Sequence, residues 1–186
     1  TLDDRSPLPI RRRVEAVAAA GFTGFGMRHG DLLRVEADPG FPAFRRMLDD
    51  HGVGILELEF LEGWFLPADD PRRVASDQAR ADFLRAAEAL GARHLKIGAD
   101  FDGGPFVPER MAPHLADLAR QAADAGTRVA LEPMPFTNVR TPFQGLELVD
   151  LVDHPAAGLC LDIWHVERVG VPVADVARIP GQRIVA

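Results

Sequence analysis

The feature that most constrains this chain is a repeated order of helix, glycine and short apolar run. Helix-like stretches end at Gly21, Gly52, Gly91 and Gly126, spaced by 31, 39 and 35 residues, and a turn at residues 154–158 follows. Glycine accepts the left-handed conformation that closes the last turn of a helix. The apolar runs that follow are 22–27, 53–60, 92–97, 128–132 and 158–162, and their composition is typical of buried parallel strands.

The predicted helices carry their own start signals. A capping side chain precedes a proline at Ser6-Pro7, Asp70-Pro71 and Thr141-Pro142, and Thr141 with Gln144 forms a capping box. In the helix after Asp70, one face at helical spacing contains Val74, Gln78, Phe83, Ala86, Ala87 and Leu90. We therefore expect amphipathic helices that lie on the surface of a sheet.

Alternating strands and helices predict a parallel sheet, which is either open and doubly wound or closed into a barrel. An open dinucleotide-binding sheet needs a glycine fingerprint between a strand and a helix. The glycine cluster at residues 21–30 instead begins at a helix end and runs into a strand. Several strands end in an ionisable residue, namely Glu59, Glu132 and Asp162, and this favours a barrel with its active site at the strand ends.

The number of repeats limits how much of a barrel the chain can form. Five helix–strand units fill the sequence, and residues 182–186 resemble the opening of another strand. A complete (β/α)8 TIM barrel takes about 250 residues. We expect residues 1–186 to form a single-domain α/β fold, a partial TIM barrel that lacks the first strand and about the last two βα units.

Composition restricts the partners of the protein. The chain has 21 basic and 28 acidic side chains and a net charge of −7, which argues against nucleic acid. No run reaches the roughly 18 apolar residues of a membrane span. The single cysteine, Cys160, excludes an internal disulfide and indicates a reducing, cytoplasmic location. We expect a small-molecule substrate, no nucleic acid and no membrane, and leave self-association into a homo-oligomer open.

Two carboxylates and an imidazole follow the last two predicted strands. Glu132 and Asp162 lie at neighbouring strand ends, and His165 follows Asp162. Oxygen ligands with one nitrogen suit a divalent cation, Mg, Mn, Co or Zn, which would polarise a carbonyl or hydroxyl group of a substrate. The structural alternative has Glu132 capping a loop and Asp162 capping the next helix, with His165 on its surface.

Three segments carry a family resemblance. Residues 21–28 (GFTGFGMR), 131–136 (LEPMPF) and 161–170 (LDIWHVERVG) resemble the xylose isomerase-like barrel superfamily, in particular its sugar phosphate isomerase/epimerase branch. The resemblance runs over essentially the whole chain. It implies that Glu132 and Asp162 are metal ligands, that His165 faces the substrate or completes the metal site, and that Arg168 meets an anionic group.

The resemblance also implies ligands that this sequence does not contain. In the family a His or Gln from the next strand and a Glu from the last strand complete the site, and these positions would follow Ala186. We therefore expect the chain alone to bind metal weakly and to turn nothing over. Family members shuttle a proton between neighbouring carbons through an enediolate, which makes Glu132 or the later Glu the base.

Three further residues are candidates for binding the substrate. Glu59 could hydrogen-bond sugar hydroxyls from the pocket or form a salt bridge at the strand end. Lys96 either lines the pocket, where its charge needs a partner, or pairs with Glu59. Arg28 ends its strand and either meets an anion or is solvated.

The expected function is a metal-dependent isomerase or epimerase of a small sugar, sugar phosphate or hydroxy-keto acid. A dehydratase or other lyase on the same scaffold is the near alternative, because it shares removal of a proton beside a carbonyl group. A non-catalytic barrel is a third possibility. An apurinic endonuclease would need a His-rich zinc cluster and a basic face, which the net charge of −7 does not favour.

Overall fold

The computed structural model describes residues 5–186, and within them five parallel strands alternate with helices. The strands are β1 (Gly24–Arg28), β2 (Ile55–Leu61), β3 (His94–Ile97), β4 (Val129–Leu131) and β5 (Ala157–Leu159). The helices are α1 (Ile10–Ala19), α2 (His29–Ala37), α3 (Phe41–Asp50), α4 (Pro71–Leu90), α5 (Pro108–Asp124), α6 (Pro142–Val152), α7 (Ile163–Arg168) and α8 (Val173–Val176). Each predicted strand is present, with ends that differ by at most three residues from the apolar runs.

The order of the strands in the sheet identifies the architecture. Each strand pairs in parallel with the next one along the chain, in the order β1-β2-β3-β4-β5. A doubly wound sheet reverses its strand order at a switch point, whereas a barrel wall does not. The fold is therefore the α/β barrel type that the sequence predicts.

The chain continues from β5 towards another strand position. A 3₁₀ helix spans Gly181–Arg183, and Ile184 then forms a parallel bridge with Leu159. The amide of Val185 also donates to the carbonyl of Leu159 at 2.8 Å. The strand expected at residues 182–186 is therefore reduced to this single bridge in the structure.

The two faces of the sheet differ in chemistry. The face toward the helices is apolar and fully buried, with side chains such as Met27, Leu58, Leu95 and Leu131 at 0% exposure. The opposite face is polar or small, and the register aligns Gly26 with Glu57 and Glu57 with His94. Because side chains alternate along a strand, one face builds the core and the other lines the barrel interior.

The predicted helix caps are confirmed except for the first. Asp70 accepts a hydrogen bond from the amide of Arg72 at 2.8 Å, and Thr141 with Gln144 forms the reciprocal capping box. The expectation for Ser6 is wrong. Helix α1 begins at Ile10 after Pro9, and the Ser6 hydroxyl instead accepts from the amide of Leu8 in the turn before it.

Two other details differ from the sequence interpretation. The stretch that ends at Gly52 is two helices, because Gly40 interrupts it with a φ of 88°. On α4, Val74 is 62% exposed and Gln78 is also exposed, so the buried face contains Ser76 and Asp82 in their place beside Phe83. Within residues 5–186 the helices are too short or too polar to cross a bilayer.

Candidate active site

Glu132, Asp162 and His165 converge at the carboxyl ends of β4 and β5. Each offers one ligand atom, and these atoms lie within 4.8 Å of one another. The Nε2 atom of His165 is 3.8 Å from Oε1 of Glu132 and 3.9 Å from Oδ2 of Asp162. Glu132 and His165 are buried, whereas the Asp162 side chain is 42% exposed. The arrangement is open to solvent on the Asp162 side.

Local backbone structure places each of the three side chains. The amide of Glu132 donates to the carbonyl of Ile97 at 2.9 Å, which extends the ladder one residue beyond β4. Asp162 is the N-cap of α7, where its Oδ1 accepts from the amide of Trp164 at 2.8 Å. The cap leaves Oδ2 of Asp162 directed at His165. The helix cap expected for Asp162 is therefore present, while the other carboxylate oxygen faces the cluster and keeps the metal-ligand interpretation open.

The electrostatics of Glu132 reflect its position. Burial raises the pKa of its carboxyl group, and the positive charges of Lys96 and His165 oppose that rise. The Nδ1 atom of His165 is buried and has no hydrogen-bond partner within residues 5–186. Two carboxylates and an imidazole this close together form a donor set that a divalent cation can occupy. The residues present therefore fit a metal.

A second polar cluster lies on the same interior face, on β2 and β3. Lys96 Nζ is 2.7 Å from Oε2 of Glu59 and 3.4 Å from Oε1 of Glu57. His94 Nε2 is 2.5 Å from Oε2 of Glu57. Burial works against the Lys96 charge, but its hydrogen bond with Glu59 raises the pKa of Lys96 above the ordinary value. The structure thus brings Lys96 and Glu59 together as an ion pair.

Glu57 and His94 are partners that the sequence interpretation did not select. Burial opposes ionisation of Glu57, yet the hydrogen bond with His94 and the charge of Lys96 lower the pKa of that carboxyl group overall. Glu57 and Glu59 are two residues apart, as are His94 and Lys96. This spacing indicates that the members of each pair lie on the same face of their strand. The register that pairs Glu57 with His94 is a property of the sheet and cannot be read from either strand alone.

Gly26 makes room for these carboxylates. A Cβ atom at this position would lie 3.2 Å from Oε1 of Glu59 and 3.6 Å from Oε1 of Glu57. Glycine therefore serves here as space for the neighbouring side chains.

The two arginines selected from the sequence lie apart from each other. Arg168 lies over the ring of Trp164, with its guanidinium carbon 4.6 Å from the ring centroid. Arg28 ends β1 and lines a cavity of about 590 Å³ against α4 and the loop after β3. The lining of that cavity does not include Glu132, Asp162 or His165. Arg168 is thus near the candidate metal ligands, whereas Arg28 belongs to a neighbouring cleft.

Aromatic rings also surround the strand ends, and the sequence interpretation missed most of them. Successive rings lie 5.0–6.3 Å apart and form an aromatic band of Phe60, Phe101, Phe136, His165 and Trp164. The band runs across the ends of β2 to β5, since each strand end or following loop contributes a ring. Trp64 lies outside it, because its ring is buried and donates to the carbonyl of Gly98 at 2.6 Å.

Cys160 does not contribute reactive chemistry. Burial raises the pKa of its thiol to about 12, and the negative charge of Glu132 adds to the rise. A thiol in this state is protonated at neutral pH and is a poor nucleophile.

The fold and the cluster together define a class of protein: a parallel α/β barrel that gathers carboxylates and an imidazole at its strand ends. The sequence pattern of the xylose isomerase-like TIM barrel family matches residues 14–186. The chain belongs to that family.

Two curated relatives are 3-dehydroshikimate dehydratases. The enzyme of Pseudomonas aeruginosa is 29% identical over 94% of this chain, and that of Pseudomonas putida is 28% identical over 94%. The chain spans 27% of the length of each relative. It therefore corresponds to part of these longer proteins.

Solved structures share the fold. A xylose isomerase-like TIM barrel/4-hydroxyphenylpyruvate dioxygenase fusion protein matches with a TM-score of 0.82 and 24% identity, over 95% of this chain and 28% of that one. D-psicose 3-epimerase, in the presence of D-fructose, matches at 0.79 and 18%, over 96% and 66%. The IolI protein with a bound zinc atom matches at 0.75 and 19%, over 98% and 67%. At these identities the similarity establishes the fold.

Proposed function

We propose that this chain carries the metal-binding residues of an enzyme that removes a proton beside the carbonyl group of a small hydroxylated substrate. The observation that supports the proposal is the cluster of Glu132, Asp162 and His165, whose ligand atoms lie within 4.8 Å of one another at the strand ends. Active sites of (β/α)8 barrels are built at this end of the sheet.

Glu132, Asp162 and His165 are the residues that would hold a divalent metal, Mn, Mg, Co or Zn. When bound, such a cation withdraws electron density from a substrate carbonyl or hydroxyl oxygen and so makes the neighbouring carbon more acidic. The carboxylates of Glu132 and Asp162 would balance the positive charge of the cation. The ammonium group of Lys96 offsets part of the negative charge of Glu132.

Residues of this chain are proposed to transfer the protons and bind the substrate. Glu132 is the proposed base, because a buried carboxylate with a raised pKa accepts a proton more readily than an exposed one. If His165 does not complete the metal site, its imidazole, 3.8 Å from Glu132, is proposed to exchange a proton with a substrate hydroxyl. Arg168 is proposed to hold an anionic group of the substrate. Arg28, Glu59 and Lys96 are proposed to complete the binding surface from the ends of β1 to β3.

Dehydration is the first candidate for the step after proton removal. The base takes the proton beside the carbonyl, a carbon–carbon double bond forms, and the hydroxyl on the next carbon leaves with a proton as water. The two curated relatives support this candidate, since both are 3-dehydroshikimate dehydratases. The substrate class is then a cyclic hydroxy-keto acid.

Isomerisation or epimerisation is the second candidate, in which the proton returns to a neighbouring carbon or to the opposite face of the same carbon. The paired segments at residues 131–136 and 161–170 favour it, because they resemble the isomerase/epimerase branch. It differs from dehydration only after the shared first step.

An assay with two substrates separates these candidates. The chain alone is expected to turn nothing over, so the assay uses a protein that contains this chain together with the further ligands expected from the family. That protein is incubated with Mn²⁺ and either 3-dehydroshikimate or D-fructose, and products are followed by chromatography. We expect an aromatic product from 3-dehydroshikimate that requires Glu132 and is lost in Glu132→Gln. The matched control, Glu147→Gln, changes an exposed glutamate on α6 and should behave as the unchanged chain. Epimerised sugar would establish the second candidate, and metal binding without turnover would favour a non-catalytic barrel.

A further inference from the structure

Three rings of the aromatic band are exposed to solvent, although they lie beside the buried side chains of the candidate metal site. Phe101, Phe136 and Trp164 are 44%, 48% and 52% exposed, although Glu132 and His165 next to them are at most 9% exposed. The rings of Phe101 and Phe136 are stacked, with centroids 5.7 Å apart and planes inclined by 25°. Exposed apolar surface of this kind beside a site marks a place where a ligand or partner is bound.

The band is anchored to the candidate metal site by ring contacts. Phe136 meets the imidazole of His165 edge-on at 5.5 Å, and Trp164 meets the same imidazole at 5.0 Å. The band therefore lies directly beside the candidate metal ligands and forms one wall of the site.

The polar side chains that follow Phe136 are already occupied. The Thr137 hydroxyl contacts the carbonyl oxygens of Met134 and Val139 at 3.0 and 2.9 Å. The side-chain oxygen of Asn138 accepts from the amide of Asp100 at 2.9 Å. This wall therefore offers stacking surface where an open-chain sugar would need hydrogen-bonding groups for its hydroxyls.

One cation lies at the end of the band. Arg168 is held over the Trp164 ring, and no carboxylate in the part of the chain that the structure describes forms an ion pair with it. An arginine in this state is free to bind a planar carboxylate through two parallel hydrogen bonds. The combination of flat apolar surface and unpaired guanidinium is complementary to a flat ring that carries an acid group.

We propose that the aromatic band binds a flat, unsaturated six-membered ring bearing a carboxylate. The ring lies against Phe136 and Trp164, which both contact His165, and the carboxylate lies at Arg168, whose guanidinium is on the Trp164 ring. This inference rests on the proposed function and narrows its substrate class. It assigns Phe136 and Trp164 to substrate selection, a role that neither the family resemblance nor the metal chemistry gives them.

Two acids of equal charge and similar size test the proposal. Benzoate is flat and cyclohexanecarboxylate is puckered, so a stacking surface should prefer benzoate. The fluorescence of Trp164 reports binding, because the other tryptophan, Trp64, is only 1% exposed. Trp164→Phe should remove the signal, and calorimetric titration of the same two acids measures binding without relying on Trp164.

The expected result is that benzoate binds about fivefold more tightly than cyclohexanecarboxylate, as stacking on an aromatic ring provides. Phe136→Leu keeps an apolar side chain and should abolish the preference for benzoate. Arg168→Gln should weaken the binding of both acids. The matched control is Phe22→Leu, an exposed phenylalanine at the opposite end of the strands, which should leave the preference intact. Equal binding of the two acids, or a preference unchanged in Phe136→Leu, overturns the proposal.

The two proposals fail in different ways. If 3-dehydroshikimate is not turned over but benzoate preference depends on Phe136, the reaction is wrong and the binding surface stands. If the longer protein of the turnover assay and its Phe136→Leu variant turn over 3-dehydroshikimate equally well, the reaction stands and the binding surface is wrong.

Discussion

The Nε2 atom of His165 lies 3.8 Å from Oε1 of Glu132, which is beyond hydrogen-bond distance. The two side chains come from different strand ends, and both are buried. Burial raises the pKa of the Glu132 carboxyl group, and Nδ1 of His165 has no hydrogen-bond partner within residues 5–186. A bound cation would compensate for the buried carboxylate charge. The spacing of the two side chains is therefore suited to two ligands of one metal ion.

Asp162 has two roles that substitutions can separate. Asp162→Asn keeps a good N-cap for α7 and removes the negative charge, so we expect the free energy of unfolding to change little while metal binding is lost. Asp162→Ala should lose both, with a cost of about 1 kcal/mol for the missing cap. Chemical denaturation and a metal titration of both variants measure the two effects. Equal metal binding by Asp162→Asn and the unchanged chain would remove Asp162 from the site.

The Lys96–Glu59 ion pair should contribute to stability as a unit. Lys96→Met leaves two partly buried carboxylates without their cation, and we expect a loss of about 2 kcal/mol, less than for a fully buried pair because these side chains are 17–25% exposed. Glu59→Gln in the same chain should recover part of that loss. A double-mutant cycle measured in urea gives the coupling free energy, and a coupling near zero would show that the pair is not a unit.

Gly26 should resist substitution because of the space it leaves. Gly26→Ala places a Cβ atom 3.2 Å from Glu59 and forces the carboxylate to move, which should cost about 1 kcal/mol. Gly54→Ala is the matched control, since nothing lies within 4 Å of its Cβ position. Thermal denaturation of the two variants compares them. If the two variants have the same melting temperature, the space at Gly26 is not needed to accommodate the Glu59 carboxylate.

Asp82 should make stability depend on pH. Burial opposes its charge, but hydrogen bonds from His29 and Arg85 lower the pKa of Asp82 below its ordinary value. A carboxyl group with a lowered folded-state pKa stabilises the fold above its unfolded-state pKa of about 3.9 and loses this contribution as the pH falls through the folded-state pKa.

Asp82→Asn should therefore cost about 1.5 kcal/mol at pH 7 and progressively less below about pH 4. Urea unfolding of the variant and the unchanged chain across this range provides the measurement. A difference that stays constant with pH would mean that the charge of Asp82 does not contribute.

The thiol of Cys160 should react slowly in the folded chain. Burial raises its pKa to about 12, so little thiolate is present at pH 8. Alkylation by iodoacetamide, followed by mass spectrometry, should become fast only in urea. Rapid labelling without denaturant would contradict this environment for Cys160.

The sequence predicts the parts of this protein that depend on local pattern. Gly91 and Gly126 end helices and so mark where β3 and β4 begin, which is enough to place Glu132 at a strand end. Asp162 and His165 then follow from their spacing.

Features that depend on contact between distant segments could not be predicted. The Glu57–His94 pair requires the register of β2 against β3, and the stack of Phe101 on Phe136 requires the paths of two loops. Ser6 failed as a helix cap because Pro9 disfavours the helical conformation of the preceding residue, Leu8, and α1 therefore begins only at Ile10.

Binding of Mn²⁺ followed by electron paramagnetic resonance tests the central claim most directly, because the signal of the free ion falls when the ion is bound. The chain should bind one Mn²⁺ weakly, at a site that Glu132→Gln abolishes and the control Glu147→Gln leaves unchanged. Equal loss of the free Mn²⁺ signal with the unchanged chain and with Glu132→Gln would contradict the assignment of Glu132, Asp162 and His165 as a metal site.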